Sequence, residues 1–327
     1  MDPLQLKLAV RDYDFVSPLA TGDVLVEGVQ VSLVRKFEAL ELLLENEEID
    51  GGEASFSRYL HRIVAGDHSF VGLPVFLMRE FRHRCIIVRR ESDFAEVSDL
   101  AGKRVGIDAW AASGNVWTRA ILRERGVPIE RITWMVGPVN PGDRSVGAAG
   151  LPHGVTAAPS GRSLTELLVA GEIDAIMSPW PPAEFYTARS RIRRLYSDFR
   201  AAERAYYLRT KLYPAHHLLV LRRRVVDRHP WVLQSLYLAF QQARQWSEGS
   251  HMLLHESSPW VLADLEEQRT LMGPDYQAYG YRENQAMVAA FCEEQYRQGL
   301  IKEPLSPDRL FEEFERCVAE PRPSRGH

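Results

Sequence analysis

The chain lacks the features of an exported, membrane-spanning or zinc-stabilised protein. Its three cysteines, Cys85, Cys292 and Cys317, are odd in number and widely separated, so neither a disulfide framework nor a zinc site is indicated. No stretch approaches the roughly 20 apolar residues that cross a bilayer. The opening residues MDPLQLKLAV have no basic start followed by an apolar run, as a signal peptide has. We therefore expect a cytoplasmic protein with no membrane partner.

Lysine is also scarce, since five lysines stand among 40 Lys+Arg residues. The formal net charge of −4 argues against a nucleic-acid-binding surface. A length of 327 residues, with 45% hydrophobic and 26% charged residues, is sufficient for two lobes that each have a core. The sequence specifies no oligomeric state and leaves a homo-oligomer open.

Segments of strand character alternate with segments of helical character along the chain. Strand-like patterns cover residues 5–10, 29–34, 71–78, 85–89, 104–108, 133–136, 173–178 and 217–221. Leucine-rich or amphipathic patterns predict helices over 37–46, 113–125, 163–171 and most of 230–314. This alternation predicts an α/β protein built from βαβ units, with a mainly parallel sheet flanked by helices in each lobe.

One stretch of sequence is repeated within the chain. LLENEEIDGGEAS (43–55) and LLVAGEIDAIMSP (167–179) align without a gap, and Leu, Leu, Glu, Ile and Asp coincide. Chance recurrence of a helix-turn-strand pattern is one explanation, and two lobes of equivalent topology is the interpretation we adopt. Because ligands of open α/β sheets bind beyond the carboxyl ends of the strands, the loops after both repeats are candidate sites.

Five segments resemble the sequences of one known family: DYDFVSPLATGDV (12–24), EASFSRYL (53–60), REFRHRCIIVRR (79–90), DFRAAERAYYLRTKLYP (198–214) and RHPWVLQSLYLAF (228–240). The family is that of 4,5-dihydroxyphthalate decarboxylase, and the likeness runs from the first strand to about Phe311. It implies a type II periplasmic-binding-protein fold with a ligand cleft between two lobes. It also implies a cytoplasmic decarboxylase of aromatic acids that needs no organic cofactor. Together with the repeat, it predicts a first lobe of residues 1–92 and 205–327, which includes the C-terminal helices, and a second lobe of 93–204.

Decarboxylation of a hydroxylated aromatic acid needs a polarised hydroxyl, an acid for the ring carbon and a partner for the carboxylate. Histidine suits the proton transfers because its unperturbed pKa of about 6.5 lies near working pH. His83 and His217, which match the family pattern, are therefore the candidate catalytic histidines. Glu53 is the candidate acceptor of a phenolic proton. The alternatives are strand histidines bonded to the backbone, and a glutamate beside an ordinary helix cap.

The other candidates are substrate-binding residues. Arg82 is the preferred clamp because a guanidinium binds a carboxylate in a two-pronged geometry, and a surface salt bridge is the alternative. Ser113, Gly114 and Asn115 open a helix whose N–H groups and dipole favour a carboxylate, although such residues are also ordinary caps. Further candidates at strand ends and on loops are Tyr13, Asp14, Ser55, Ser57, Trp110, Ser178, Trp180 and His216. Turn formation and core packing are the alternatives for these.

The leading functional hypothesis is a carboxy-lyase that acts on a hydroxylated aromatic or conjugated carboxylic acid. The alternative is a non-catalytic carboxylate-binding protein of the ABC-transporter type. A third is another cytoplasmic enzyme of this fold, such as a dehydratase of the alternative menaquinone route or a thiamin-pyrimidine synthase, although the histidine-rich segment of the latter is missing. No metal site is predicted. Convergence of Glu53, His83 and His217 on a divalent metal stays open, without a ligand spacing such as HExxH to support it.

Two loops depart from the family pattern. The chain has Asp108-Ala109-Trp110 where relatives tend to carry Pro-Glu-Tyr, and Trp180 where they tend to carry an arginine. Replacement of arginine by tryptophan removes a carboxylate partner and adds an apolar face. We therefore expect a monocarboxylate substrate in place of the dihydroxyphthalate, unless Arg79 or Arg119 substitutes for the missing arginine.

Overall fold

The computed structural model describes residues 2–143 and 150–319, which form two compact units. The first unit contains the residues up to Arg79, Ala215–Cys292 and the residues from Pro304 on. The second contains Glu80–Pro214 and Glu293–Glu303. Residues 320–327, which were predicted for the first lobe, lie outside the described residues.

The described residues form eleven strands and eleven α-helices. The strands are β1 (Leu4–Val10), β2 (Val29–Arg35), β3 (Gly51–Ser55), β4 (Phe70–Arg79), β5 (Ile86–Arg89), β6 (Arg104–Ile107), β7 (Thr133–Val136), β8 (Val155–Ala157), β9 (Ala175–Met177), β10 (Ile192–Arg194) and β11 (Ala215–Arg222). The helices are α1 (Ser17–Thr21), α2 (Ala39–Glu45), α3 (Phe56–Val64), α4 (Ser113–Glu124), α5 (Leu164–Val169), α6 (Phe199–Thr210), α7 (Arg223–Arg228), α8 (Val232–His251), α9 (Val261–Met272), α10 (Gln285–Arg297) and α11 (Glu312–Ala319).

The predicted lobe boundaries are wrong at three places. Residues 80–92 and 205–214 belong to the second unit, and so does the segment 293–303. The cause is strand pairing, because β5 lies between β9 and β10 and is antiparallel to both. The apolar pattern of residues 85–89 identifies a strand, but an apolar pattern does not say which sheet the strand joins.

Each unit contains one sheet, and the two sheets share the order and direction of five strands, to which the second adds the edge strand β8. The first sheet has the order β2-β1-β3-β11-β4, and the second has β10-β5-β9-β6-β7-β8. In the first, β11 is antiparallel to both of its neighbours and the other strands share one direction. In the second, β5 is the one reversed strand. The sheets are thus mainly parallel in direction, as predicted, and β3 and β9 hold equivalent positions.

The sequence repeat makes equivalent contacts in the two units. The backbone N–H of Asp50 donates to the carbonyl of Lys7, and the Asp50 carboxylate accepts from the Lys7 N–H at 3.0 Å. Asp174 makes the same two bonds with Arg104, and the bond to its carboxylate is again 3.0 Å long. The aspartate of each Ile-Asp pair therefore fixes the register of its strand against the neighbouring parallel strand.

Buried apolar side chains form a separate core in each unit. In the first unit, alternate residues of β1, β4 and β11 pack against α8. In the second, one cluster packs α4 on the sheet and another packs α5 around Ile176 on the opposite face. Within the described residues, no helix has both the length and the apolar character needed to cross a membrane.

Candidate functional site

A fully buried carboxylate lies at the centre of the first unit's polar cluster. Glu53 of β3 has no exposed surface. Its oxygens accept the backbone N–H of Arg11 at 2.9 Å and the hydroxyl of Tyr13 at 2.7 Å, and they contact Nδ1 of His217. The Arg11 guanidinium lies 3.8 Å away. A buried carboxylate is costly unless it is bonded in this way, so these groups together stabilise the ionised form.

The partners of Glu53 control its protonation and that of Tyr13. Burial raises the pKa of Glu53, but the hydrogen bond and charge of His217 and the N–H of Arg11 outweigh it and hold the pKa below its usual value. Burial and the neighbouring negative charge of Glu53 raise the pKa of Tyr13 far above its usual value. Near neutral pH, Tyr13 therefore keeps its proton and donates a hydrogen bond, and Glu53 is ionised and accepts it.

Gly52 allows Glu53 to reach this position. Its φ of 150° lies in a region that favours glycine, and a Cβ at this residue would be 2.0 Å from the carbonyl oxygen of Ala9. Two neighbouring strands thus approach closely just before Glu53. Beyond it, Ser55 accepts from the N–H of Arg58 at 3.5 Å and caps α3. The strand therefore passes directly from the buried carboxylate into a helix.

The other first-unit candidates do not join the Glu53 cluster as a group. Ser55 acts as the helix cap, and Ser57 is buried in the first turn of α3. His216 is buried and alternates with His217 along β11, so it points to the opposite face of the sheet. Asp14 pairs with His251 at the end of α8.

In the second unit, Arg82 lies against the first turn of α4. Its side chain is 2% exposed, and a Cβ added at Gly114 would be 2.6 Å from Nη2 of the guanidinium. Nε is 3.4 Å from the hydroxyl of Thr118, and Nη1 is 3.5 Å from the carboxylate of Glu80. No described residue accepts a hydrogen bond from Nη2. A buried cation at a helix N-terminus favours an anion there, and so the structure brings together two of the predicted carboxylate-binding features.

The loop after β6 is bonded to α4. The Asn115 amide donates to the carboxylate of Asp108 and the carbonyl of Ala109, both at 2.7 Å. Arg119, also fully buried, donates to the Trp110 carbonyl at 2.7 Å and places its guanidinium 4.1 Å from the centre of the indole ring. A further bond of 2.7 Å joins Arg119 to Gln298. These contacts fix the Trp110 loop relative to the start of α4.

His83 does not share a cluster with Glu53 or His217. It belongs to the second unit, where its buried ring meets the edges of Tyr196 and Tyr206 at centroid distances of 5.6 and 5.3 Å. Burial, assisted by the positive charges of Arg209 and Arg125, lowers its pKa to about 4. The imidazole is consequently neutral near neutral pH, which makes it a poor proton donor.

The loop after β9 contains the last two candidates. The Ser178 hydroxyl donates to the carbonyl of Trp180 at 2.8 Å and so closes a local turn. The Trp180 side chain is 55% exposed. Among residues 2–143 and 150–319, no three His, Cys, Asp or Glu side chains are grouped so that they could hold a metal ion.

Sequence reasoning missed Arg11 and His251, and it considered Arg119 only as a substitute for the missing arginine. Arg11 directly follows the first strand. Because ligands of open α/β sheets bind beyond the carboxyl ends of the strands, its position could have identified it as a candidate. Arg119 acts through a carbonyl and an aromatic ring, and His251 lies 237 residues from its partner Asp14. No local pattern announces either of these contacts.

The fold defines the class of protein. A family model for the ABC transporter phosphonate periplasmic substrate-binding protein matches residues 26–255. A periplasmic sulfonate-binding protein from Methylobacillus flagellatus KT is similar in structure, with a TM-score of 0.54 over 97% of this chain and 94% of that chain, at 12% identity. The chain therefore has the periplasmic-binding-protein fold.

Sequence similarity gives the family. A 4,5-dihydroxyphthalate decarboxylase from Comamonas testosteroni is 33% identical over 95% of this chain and 97% of its own length. Another from Pseudomonas putida is 31% identical over 63% of this chain and 83% of its own length. The chain belongs to the 4,5-dihydroxyphthalate decarboxylase family and is a decarboxylase-like enzyme.

We predict that the Asp14–His251 pair stabilises the fold only in a limited pH range. Asp14 raises the pKa of His251. The pair's contribution to the free energy of unfolding is therefore complete below the ordinary histidine pKa of about 6.5, and it is lost as the pH rises through the raised pKa of His251. His251 lowers the pKa of Asp14, so the contribution is lost again when the pH falls through that lowered value. Melting temperatures of wild type and His251→Gln should differ most near pH 5–6 and converge as the pH rises through the raised pKa of His251. His255→Gln is the control, and a difference independent of pH would contradict the prediction.

We predict that Gly114→Ala weakens substrate binding without destabilising the protein. Alanine is favoured over glycine in a helix by about 1 kcal/mol, but its Cβ displaces the Arg82 guanidinium from the start of α4. KM should rise about tenfold, as expected for loss of one charged hydrogen bond, while kcat changes less. Gly249→Ala, at a helical glycine with open space around it, is the control. An unchanged KM would show that Arg82 does not bind the carboxylate.

Proposed function

We propose that the enzyme decarboxylates a hydroxylated aromatic carboxylic acid, with proton transfer by the Glu53–His217 pair. The observation that supports this is the buried carboxylate on the Nδ1 side of His217. Within the described residues, no group bonds the other nitrogen, Nε2, and the His217 side chain is 13% exposed. A carboxylate that orients a histidine in this way leaves Nε2 available as proton donor or acceptor.

In the proposed reaction, the substrate exchanges a carbon–carbon bond for a carbon–hydrogen bond. A phenolic hydroxyl conjugated to the reacting position keeps its proton and donates electron density to the ring carbon. The His217 imidazolium donates a proton from Nε2 to that carbon, carbon dioxide departs, and the histidine is reprotonated from water. Glu53 stabilises the imidazolium, and Tyr13 holds Glu53 in position. No organic cofactor takes part, and His83 has no step.

The start of α4 is a separate candidate anion site within the second unit. Two features support this assignment, namely the N–H groups of the first helical turn and the Nη2 nitrogen of Arg82 beside Gly114.

We also infer that the preferred substrate has one carboxylate. The family resemblance implies an arginine at the position where this chain has Trp180. Arg119 is fully buried and is bonded to Trp110 and Gln298 through two of its three guanidinium nitrogens, and Arg79 is bonded to Ala278 and Asn284, so neither replaces that arginine without rearrangement of the surrounding residues. A second carboxylate would therefore be poorly compensated, and an uncompensated buried charge is costly.

Carbon dioxide release from a panel of acids tests the proposal. We expect turnover of hydroxylated benzoates such as 3,4-dihydroxybenzoate, with a higher kcat/KM than for 4,5-dihydroxyphthalate, and no loss of activity with a chelator. Efficient turnover of the phthalate, at or above the monoacids, would contradict the inferred specificity. Absence of carbon dioxide from every acid in the panel would contradict the decarboxylase itself, and inhibition by the chelator would contradict the metal-free mechanism.

A further inference from the structure

The first unit contains a cavity on the face of the sheet away from Glu53. Its volume is about 360 Å³, which falls in the range of small-molecule sites, about 300–1,000 Å³. Its apolar lining comes from α2, β3, the start of β4 and β11, and includes Leu40, Leu43, Ala54, Phe70 and Val220. Because successive side chains of a strand point to opposite faces, Ala54 faces this cavity while Glu53 faces the polar cluster.

The sequence repeat shows how this face differs between the two units. In the second unit, Ile176 lies on the equivalent face of its strand and belongs to one cluster with Leu164 and Leu167 of α5. In the alignment of the repeats, Gly52 corresponds to Ile176, and the registers agree, since Ala9 pairs with Gly52 as Gly106 pairs with Ile176. The close approach to Ala9 requires the glycine. The first unit therefore has no side chain at the position that Ile176 occupies in the second.

The mouth of the cavity has an uncompensated positive charge. Arg62 is paired with Asp67. Arg58 also lines the cavity, and its guanidinium has no acidic partner among the described residues. An apolar interior with one unpaired guanidinium at the edge matches a ligand that has an apolar body and a single carboxylate.

We propose that this cavity is a second binding site, distinct from the Glu53 cluster, for a small apolar monocarboxylate. The hydrocarbon part of the ligand lies against Leu40, Leu43 and Val220, and the carboxylate bonds to Arg58. The proposal does not depend on the decarboxylation reaction, since the two sites are on opposite faces of β3.

Calorimetric titration with octanoate, an apolar monocarboxylate, tests this site. Ala54→Leu fills the cavity without changing charge, and Arg58→Gln removes the cation without filling the space. Each should weaken binding about tenfold or more, the effect of losing the apolar contacts or one charged hydrogen bond. Arg131→Gln, at an exposed arginine in the second unit, and Glu53→Gln should both bind octanoate as wild type does. Circular dichroism confirms that each variant is folded, and Arg58→Gln remains informative if Ala54→Leu is not.

Three results would overturn the proposal. These are no octanoate binding by wild type up to its solubility limit, wild-type binding by Arg58→Gln, or loss of binding in Glu53→Gln. The last would locate the acid at the Glu53 cluster instead. Because Glu53→Gln is expected to lose turnover but retain octanoate, failure of the proposed reaction and failure of this site give different results.

Discussion

The burial of the Glu53 carboxylate is the constraint on which the rest of the first unit's chemistry depends. An ionised carboxylate with no exposed surface requires partners for both oxygens. They come from two distant places in the chain: the Arg11 N–H and the Tyr13 hydroxyl after β1, and the His217 imidazole in β11. The strand order β1-β3-β11 brings them together, so the reversed strand β11 is needed for the site as well as for the fold.

The same sheet topology carries different chemistry in the second unit. The residue that corresponds to Glu53 in the repeat is Met177, which is buried and apolar. There the unusual electrostatics are instead at the start of α4, where the buried guanidinium of Arg82 lies against Gly114. The shared arrangement of strands thus carries a buried carboxylate in one unit and a buried guanidinium beside a helix N-terminus in the other.

Local patterns in the sequence were sufficient for most elements and for the equivalence of the repeats, because strand alternation, helix caps and the Ile-Asp turn are all local signals. They were not sufficient for the lobe boundaries, because the strand at residues 86–89 would be apolar whichever of the two sheets it joined. The prediction correctly grouped Glu53 with His217, but it also included His83, whose aromatic surroundings come from Tyr196 and Tyr206, more than 100 residues away. Side-chain environments of this kind depend on tertiary contacts that no short window of sequence contains.

The central claim is that Glu53 and His217 act as one catalytic unit, and a double-mutant cycle on turnover tests it most directly. With Glu53→Gln, His217→Gln and the double variant, each single change should lower kcat by roughly two to four powers of ten. The double variant should be no slower than the slower single variant, because residues that act as a unit are strongly non-additive. Losses that multiply in the double variant, or a single variant with wild-type kcat, would contradict the account.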